Sequence, residues 1–251
     1  MVKSAVRVLK VFELLAMKRN GLTVKDISDE LGLPQSSTFH LISTLFNEGY
    51  LLQDHAKRYK LGPKLIQIGN NAMESLDIAS IGKPVLSKLM EDVQETVFMA
   101  VLSEERLVYV LKIDSNRSIK TTAQPGYQKP LHCTGLGKTF LAFLPVEKRE
   151  KLISTIALQP VTPRTITDRS KLEECLELYK TLGYSIDDEE NEEGLFCVAA
   201  PIYGGGNIVE AAISVAGPKE RMSKRKEEIA RKLTEAAAKL SIQMGYKKGV
   251  I

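Results

Sequence analysis

The sequence has no tryptophan, only three histidines and three cysteines, and 6% aromatic residues. The lack of tryptophan and the thin aromatic content exclude nothing by themselves. The cysteines say more: an odd number with no C-x-x-C pair fits a reducing compartment rather than a disulfide scaffold. Long apolar runs are missing as well. The run from Val97 to Leu102 is among the longest, far below the ~18 residues of a membrane span. Lys3, Arg7, Lys10 and Glu13 interrupt the first turns, which argues against the apolar core of a secretion signal. These absences predict a soluble cytoplasmic protein without a membrane partner. What is present is ordinary: 251 residues, 43% apolar and 26% charged, enough to bury a real core in one large or two unequal domains.

The formal net charge of +4 is small but unevenly placed. Residues 1–62 carry nine Lys/Arg against six Asp/Glu, and the remainder carries 26 against 25. A mild basic bias confined to the first quarter is what contact with phosphate requires.

That quarter reads as three short helices and a hairpin. Ala5, Leu9, Phe12 and Leu15 recur at near-helical spacing over residues 4–16, and Gly21 ends the element. Thr23 then caps a second helix, with Asp26 in the capping-box position and Val24, Ile27 and Leu31 facing inward. Gly32 makes a tight turn, and Pro34 opens a third helix that runs to about Glu48 and stops at Gly49. Two helices joined by so short a turn with a glycine form a helix-turn-helix.

At about 100° per residue, Thr38, Leu41 and Leu45 share one side of the third helix, its buried side. Ser36, His40, Ser43 and Asn47 share the opposite one, flanked by Gln35, Ser37 and Phe39. No acid stands there before Glu48, so this side can approach a duplex without repulsion. Gln, Ser and His can read base edges in the major groove, and Phe39 suits a thymine methyl. For Phe39 alone, packing against Phe46 is an equally good expectation.

Residues 50–53 and 58–61 read as two short strands around a polar break. The alternation of Tyr59 and Leu61 with Arg58 and Lys60 predicts an outward cationic face, with Lys57 at the tip. Such a wing would touch phosphate or the minor groove. Gly62-Pro63 closes the unit. Leu65, Ile68, Ala72 and Leu76 then predict an amphipathic linker helix whose stripe meets a partner subunit, because DNA half-sites need paired readers. The expected domains are therefore 1–62, the linker 63–77, and 78–251.

From residue 78 the pattern changes to α+β. A helix over 78–93 precedes strands at 96–103 and 107–114, with a third expected at 119–123. Helices follow at 135–144, 146–157 and 169–182, then strands at 184–187, 196–202 and 208–216. A long helix over 223–244 closes the series. Hairpins mixed with helices imply an antiparallel sheet.

Four ordered blocks carry a resemblance. They are Leu31-Gly32-Leu33-Pro34-Gln35-Ser36-Ser37-Thr38, the wing ending Arg58-Tyr59-Lys60-Leu61-Gly62, and Pro130-Leu131-His132-Cys133-Thr134-Gly135-Leu136-Gly137-Lys138. The fourth is Asp187-Asp188-Glu189-Glu190-Asn191 with the following Gly194-Leu195-Phe196-Cys197-Val198-Ala199-Ala200-Pro201-Ile202. Together they resemble the isocitrate lyase regulator (IclR) family of bacterial transcription factors over essentially the whole chain. The resemblance implies an N-terminal winged helix-turn-helix, a linker helix and a C-terminal GAF-like sensing domain. It also implies a double-stranded DNA operator, dimers that pair into tetramers, and a small organic acid or related metabolite as effector. The family's effector pocket maps onto Gly135, Leu136, Asp187, Cys197 and Ser214, with Leu195 as an apolar wall. Where the family often has a second serine, this chain has Ala216, which removes one hydroxyl. The residues also favour this site on physical grounds, since Thr134 precedes a helix whose first N–H groups form a natural carboxylate seat.

Three other patterns compete. Gly137-Lys138-Thr139 looks like the end of a phosphate-binding loop, but His132 stands where its first glycine belongs. His132, Cys133, Cys197 and Asp187 lack paired metal-ligand spacing, so neither metal nor other cofactor is expected. A cysteine-dependent enzyme using Cys197 as nucleophile and His132 as base, with the N-terminal unit serving assembly, is the alternative to a regulator. Arg221 with Lys224–Lys226 reads as a solvated helix start rather than a second nucleic-acid site.

Overall fold

The computed structural model describes residues 2–18, 20–68, 78–103 and 105–247. The chain divides into two compact units, residues 1–76 and 77–251.

The first unit is built from local signals. Helix α1 (Lys3–Met17) buries Val11, Leu14 and Leu15. Helix α2 (Val24–Leu31) begins with a complete capping box, in which Asp26 N–H donates to the Thr23 hydroxyl and Thr23 N–H donates to the Asp26 carboxylate. Gly32 ends it in the left-handed region at φ 61°. Pro34 is the N-cap of α3 (Gln35–Asn47), so the helix opens one residue later than the sequence suggested. Strands β1 (Leu51–Gln53) and β2 (Tyr59–Leu61) pair antiparallel, and Leu22 bridges to Tyr59. Ile27, Ile42, Leu45, Leu51 and Tyr59 join the α1 residues in one core. Burying each such side chain contributes about 1.5–3 kcal/mol, so the packing of three helices and a hairpin sustains this small unit. Residues 63–68 are helical. The rest of the expected linker lies outside the described residues.

The second unit is a six-stranded antiparallel sheet of order β5-β4-β3-β8-β7-β6. Its strands are β3 (Thr96–Ser103), β4 (Arg106–Ile113), β5 (Gln128–Lys129), β6 (Ser185–Asp188), β7 (Leu195–Tyr203) and β8 (Val209–Pro218). Strand side chains alternate between faces, and both faces are covered. Val97, Met99, Val198, Ile213 and Val215 meet the helices Ile78–Val93 and Lys226–Gln243. Phe98, Ala100, Cys197, Ala199 and Ala216 meet the helix Gly135–Phe143 and the Leu172 and Leu176 side of Arg169–Leu182. The near-continuous apolar run at 97–102 follows from this double burial.

Two sequence expectations change. No strand forms at 119–123. Lys112 Nζ takes the Thr121 carbonyl at 3.0 Å, and the edge of β4 is occupied instead by Gln128–Lys129. The C-terminal helix begins as a separate turn, Lys219–Met222, passes through a 3₁₀ segment and continues as Lys226–Gln243.

Candidate functional site

The exposed flank of α3 is open. Gln35, Ser36, Ser37 and His40 are exposed, Phe39 is 54% exposed, and Ser43 is half-buried. The opposite side supplies Thr38, Ile42 and Leu45 to the core, and the Thr38 hydroxyl donates to the Pro34 carbonyl. Phe46 is not the partner of Phe39: it stands edge-on to Tyr59 with ring centroids 6.0 Å apart. Among the rings of the described residues Phe39 meets that of the neighbouring His40, edge-on at 5.9 Å. Ser37 and His40 also border an open groove with Ser4, Arg7 and Thr44.

In the wing the cations divide. Asp54 Oδ1 accepts the N–H groups of Ala56 and Arg58, which shapes the turn and holds this carboxyl below the usual range. Lys57 takes a left-handed φ of 58° at the tip, and Lys57 and Arg58 are exposed, without an ion pair among the described residues. Lys60 differs from the alternation expected of it. It is half-buried, 3.6 Å from Asp54, with its stem against Gly21, where a Cβ would stand 2.8 Å from Lys60 Cγ. The acid across the hairpin and the bare glycine beside it draw Lys60 back onto the body.

In the second unit the six expected effector positions come together. Gly135, Leu136, Asp187, Leu195, Cys197 and Ser214 line one cavity of about 590 Å³ including its open mouth. They arrive from the start of a helix and from three strands. Thr134 caps that helix by accepting Gly137 N–H at 3.0 Å and donating to the Pro130 carbonyl. The N–H groups of Gly135 and Leu136 are left without a hydrogen bond among the described residues. Gly135 must be glycine here, because a Cβ would lie 2.9 Å from Cys197 Sγ. Ala216 also lines the cavity, so the hydroxyl missing from this chain is missing from the lining itself.

The remaining wall went unpredicted: Phe98, Tyr109, Thr121–Ala123, Tyr127, Lys129, Asn191 and Glu192. Strand alternation places Phe98 on the cavity face with Tyr109, ring centroids 4.9 Å apart. The 121–127 loop carries no sequence signal of that kind.

Charge is buried behind this lining. Asp187 is 2% exposed, and burial pushes its carboxyl up to about 7, although Lys138 pulls the other way. Its Oδ1 accepts the N–H groups of Glu190 at 2.8 Å and Asn191 at 3.3 Å, so part of the carboxylate serves its own turn. Lys138 is fully buried, ion-paired with Glu190, and its ammonium lies 5.4 Å from the centre of the Tyr179 ring. The lysine of the apparent phosphate loop thus has a counter-ion inside the fold.

Nothing here equips Cys197 for catalysis. Burial and the nearby Asp187 push its thiol up to about 12, and the thiolate is the nucleophilic form. His132 borders a different cavity, with Glu105, Arg106 and Gln159, and its ring N–H donates to the Gln159 carbonyl at 2.9 Å. The described residues hold no group of three His, Cys, Asp or Glu suited to a metal ion. In the basic cluster, Arg221 grips Glu95 bidentately, Arg225 pairs with Glu228, and Lys226 with Glu227. No described helix is long and apolar enough to cross a membrane.

Comparison with known proteins agrees with both units. Residues 4–55 match the IclR helix-turn-helix domain, and residues 70–242 match the C-terminal domain of the bacterial transcriptional regulator IclR. The transcriptional repressor IclR of Escherichia coli K12 is 32% identical over 97% of this chain and 90% of its own length. The E. coli regulator KdgR is 30% identical over 98% of this chain and 94% of its own. The crystal structure of the Agobacterium tumefaciens repressor BlcR superposes with a TM-score of 0.79 at 28% identity, covering 99% of each chain. These homologues are transcriptional regulators, not enzymes. With a helix-turn-helix ahead of a double-covered antiparallel sheet, and matches across nearly its full length, the chain belongs to the IclR family of bacterial transcriptional regulators.

Proposed function

We propose that this regulator binds its operator through Gln35, Ser36, Ser37, Phe39, His40 and Ser43 in the major groove. Lys57 and Arg58 of the wing contact phosphate, and Lys60 acts as a weaker contributor. A small organic acid seated at Gly135 and Leu136, against Asp187, Leu195, Cys197 and Ser214, modulates that binding in the cytoplasm. The carrying observation is the cavity: open amide N–H groups, a serine and an aspartate converge on one space behind apolar walls. Paired copies are part of the proposal, because two recognition helices must reach half-sites about one helical turn apart, and dimers pair into tetramers as the family resemblance implies. An acid shifts operator affinity only by its preference for one arrangement of the protein over another.

The test is a selection of duplexes from a random library by the full chain, repeated with panels of sugar acids, keto acids and aromatic acids. Recovery of a paired-half-site motif whose affinity changes with one acid class is the expected result. A motif that no acid affects would leave DNA binding in place and remove the acid from the reading.

A further inference from the structure

The cavity holds a second anion-seeking end that no effector position accounts for. Lys129 of β5 lines it, half-buried, with no carboxylate within 4 Å among the described residues. Its ammonium has one hydrogen bond among the described residues, to Asn191 Oδ1 at 3.5 Å. A partly buried ammonium without a counter-ion is unfavourable, and a ligand carboxylate would relieve it. Thr121 lines the same cavity, and its hydroxyl is buried with no hydrogen-bond partner among the described residues. Buried hydroxyls are rarely left so. The carbonyl of this residue is held by Lys112, which also pairs with Asp114 at 3.0 Å, so the loop beside Lys129 is anchored.

This end is distinct from the helix start. Asp187 N lies 3.7 Å from the place of a Gly135 Cβ, Asn191 N–H reaches Asp187 Oδ1, and only then does Asn191 Oδ1 meet Lys129. The turn from Asp187 to Asn191 thus touches both ends, and Pro130 beside Lys129 accepts the Thr134 hydroxyl at 2.9 Å. Phe98, Tyr109 and Leu195 supply apolar wall to the same space. Glu192 also lines the cavity, is exposed, and among the described residues makes no ion pair with Lys129 within 4 Å.

We infer that the effector is a dicarboxylate with a hydrocarbon midsection, its first carboxylate at the Gly135 and Leu136 N–H groups and its second on Lys129. This rests on the effector reading of the cavity and deepens it. Calorimetric titration of the full chain with succinate, glutarate and adipate, each against its length-matched monoacid (butyrate, valerate, hexanoate), tests it. At least one diacid should bind about ten-fold tighter than its monoacid, the worth of one charge-assisted hydrogen bond. Lys129→Met and Lys129→Gln should both collapse that ratio towards one, and Lys129→Arg should keep it. Monoacids binding as well as diacids, or a ratio that survives Lys129→Met, overturns the dicarboxylate and leaves the effector site standing. Failure of every acid in both series to bind overturns this inference, while the effector reading falls only if the sugar, keto and aromatic acid panels fail as well.

Discussion

The two units solve opposite problems with polar side chains. The first keeps its chemistry on the surface: Gln35, Ser36, Ser37, His40, Lys57 and Arg58 stand in water and need no partner in the free protein. The second draws polar groups inside, with Asp187, Ser214 and Lys138 at 2%, 1% and 0% exposure. Each of those must be satisfied by the fold or by a ligand. Surface groups of the first kind are free to change with little effect on folding. Buried groups of the second kind carry stability and recognition together.

The sharpest test of that contrast is Lys138→Met, which leaves Glu190 buried without its counter-ion. It should lower unfolding free energy by about 3–5 kcal/mol in urea titration, and joint replacement with Glu190→Leu should recover much of the loss. A loss below about 1 kcal/mol for the single variant would break the comparison. On the surface side, His40→Ala should weaken specific operator binding by about 1–3 kcal/mol, the worth of a base contact. Non-specific binding and thermal stability should hardly move; equal losses on both kinds of DNA would reduce His40 to a positioning role. Replacing Lys57 and Arg58 together by alanine should weaken binding to all sequences and lower the salt slope by about two. Lys60→Ala should change the slope less, because Asp54 already faces that ammonium.

The smallest effect is a change of shape rather than size. The Asp187 carboxyl is raised in the fold from its ordinary 3.8 to about 7, so the folded chain holds a proton that the unfolded chain releases between those values. Its contribution to stability is therefore present below about pH 4 and declines as pH rises through 7. Lys138, Glu190, Cys197, Cys133 and Tyr109 are the titratable groups around it. Asp187→Asn should flatten that decline in pH-dependent melting, and an unchanged profile would assign it elsewhere.

Legibility in the sequence divided along the same line. The capping box at Thr23, the Gly32 turn and the face of α3 are fixed within a few residues of chain, so spacing alone located them. Lys60 escaped, because its position depends on Gly21 and Asp54 meeting it across the fold. In the cavity, the positions on the Gly135 helix start and the Asp187 turn were readable by resemblance and by the physics of open N–H groups. Phe98 and Tyr109 were within reach of strand alternation. Thr121 and Lys129 were not, since the strand expected at 119–123 gave way to a loop that Lys112 fastens and the β4 edge passed to Gln128–Lys129.

The strict alternation along β3 and β8 makes the lining modular. Positions 98, 214 and 216 border the cavity, while 97, 99, 213 and 215 belong to the far hydrophobic layer. A lineage can therefore exchange the former set to acquire a new chemical taste while the latter goes on anchoring the sheet. Parity along a strand separates what is free to diverge from what must be inherited.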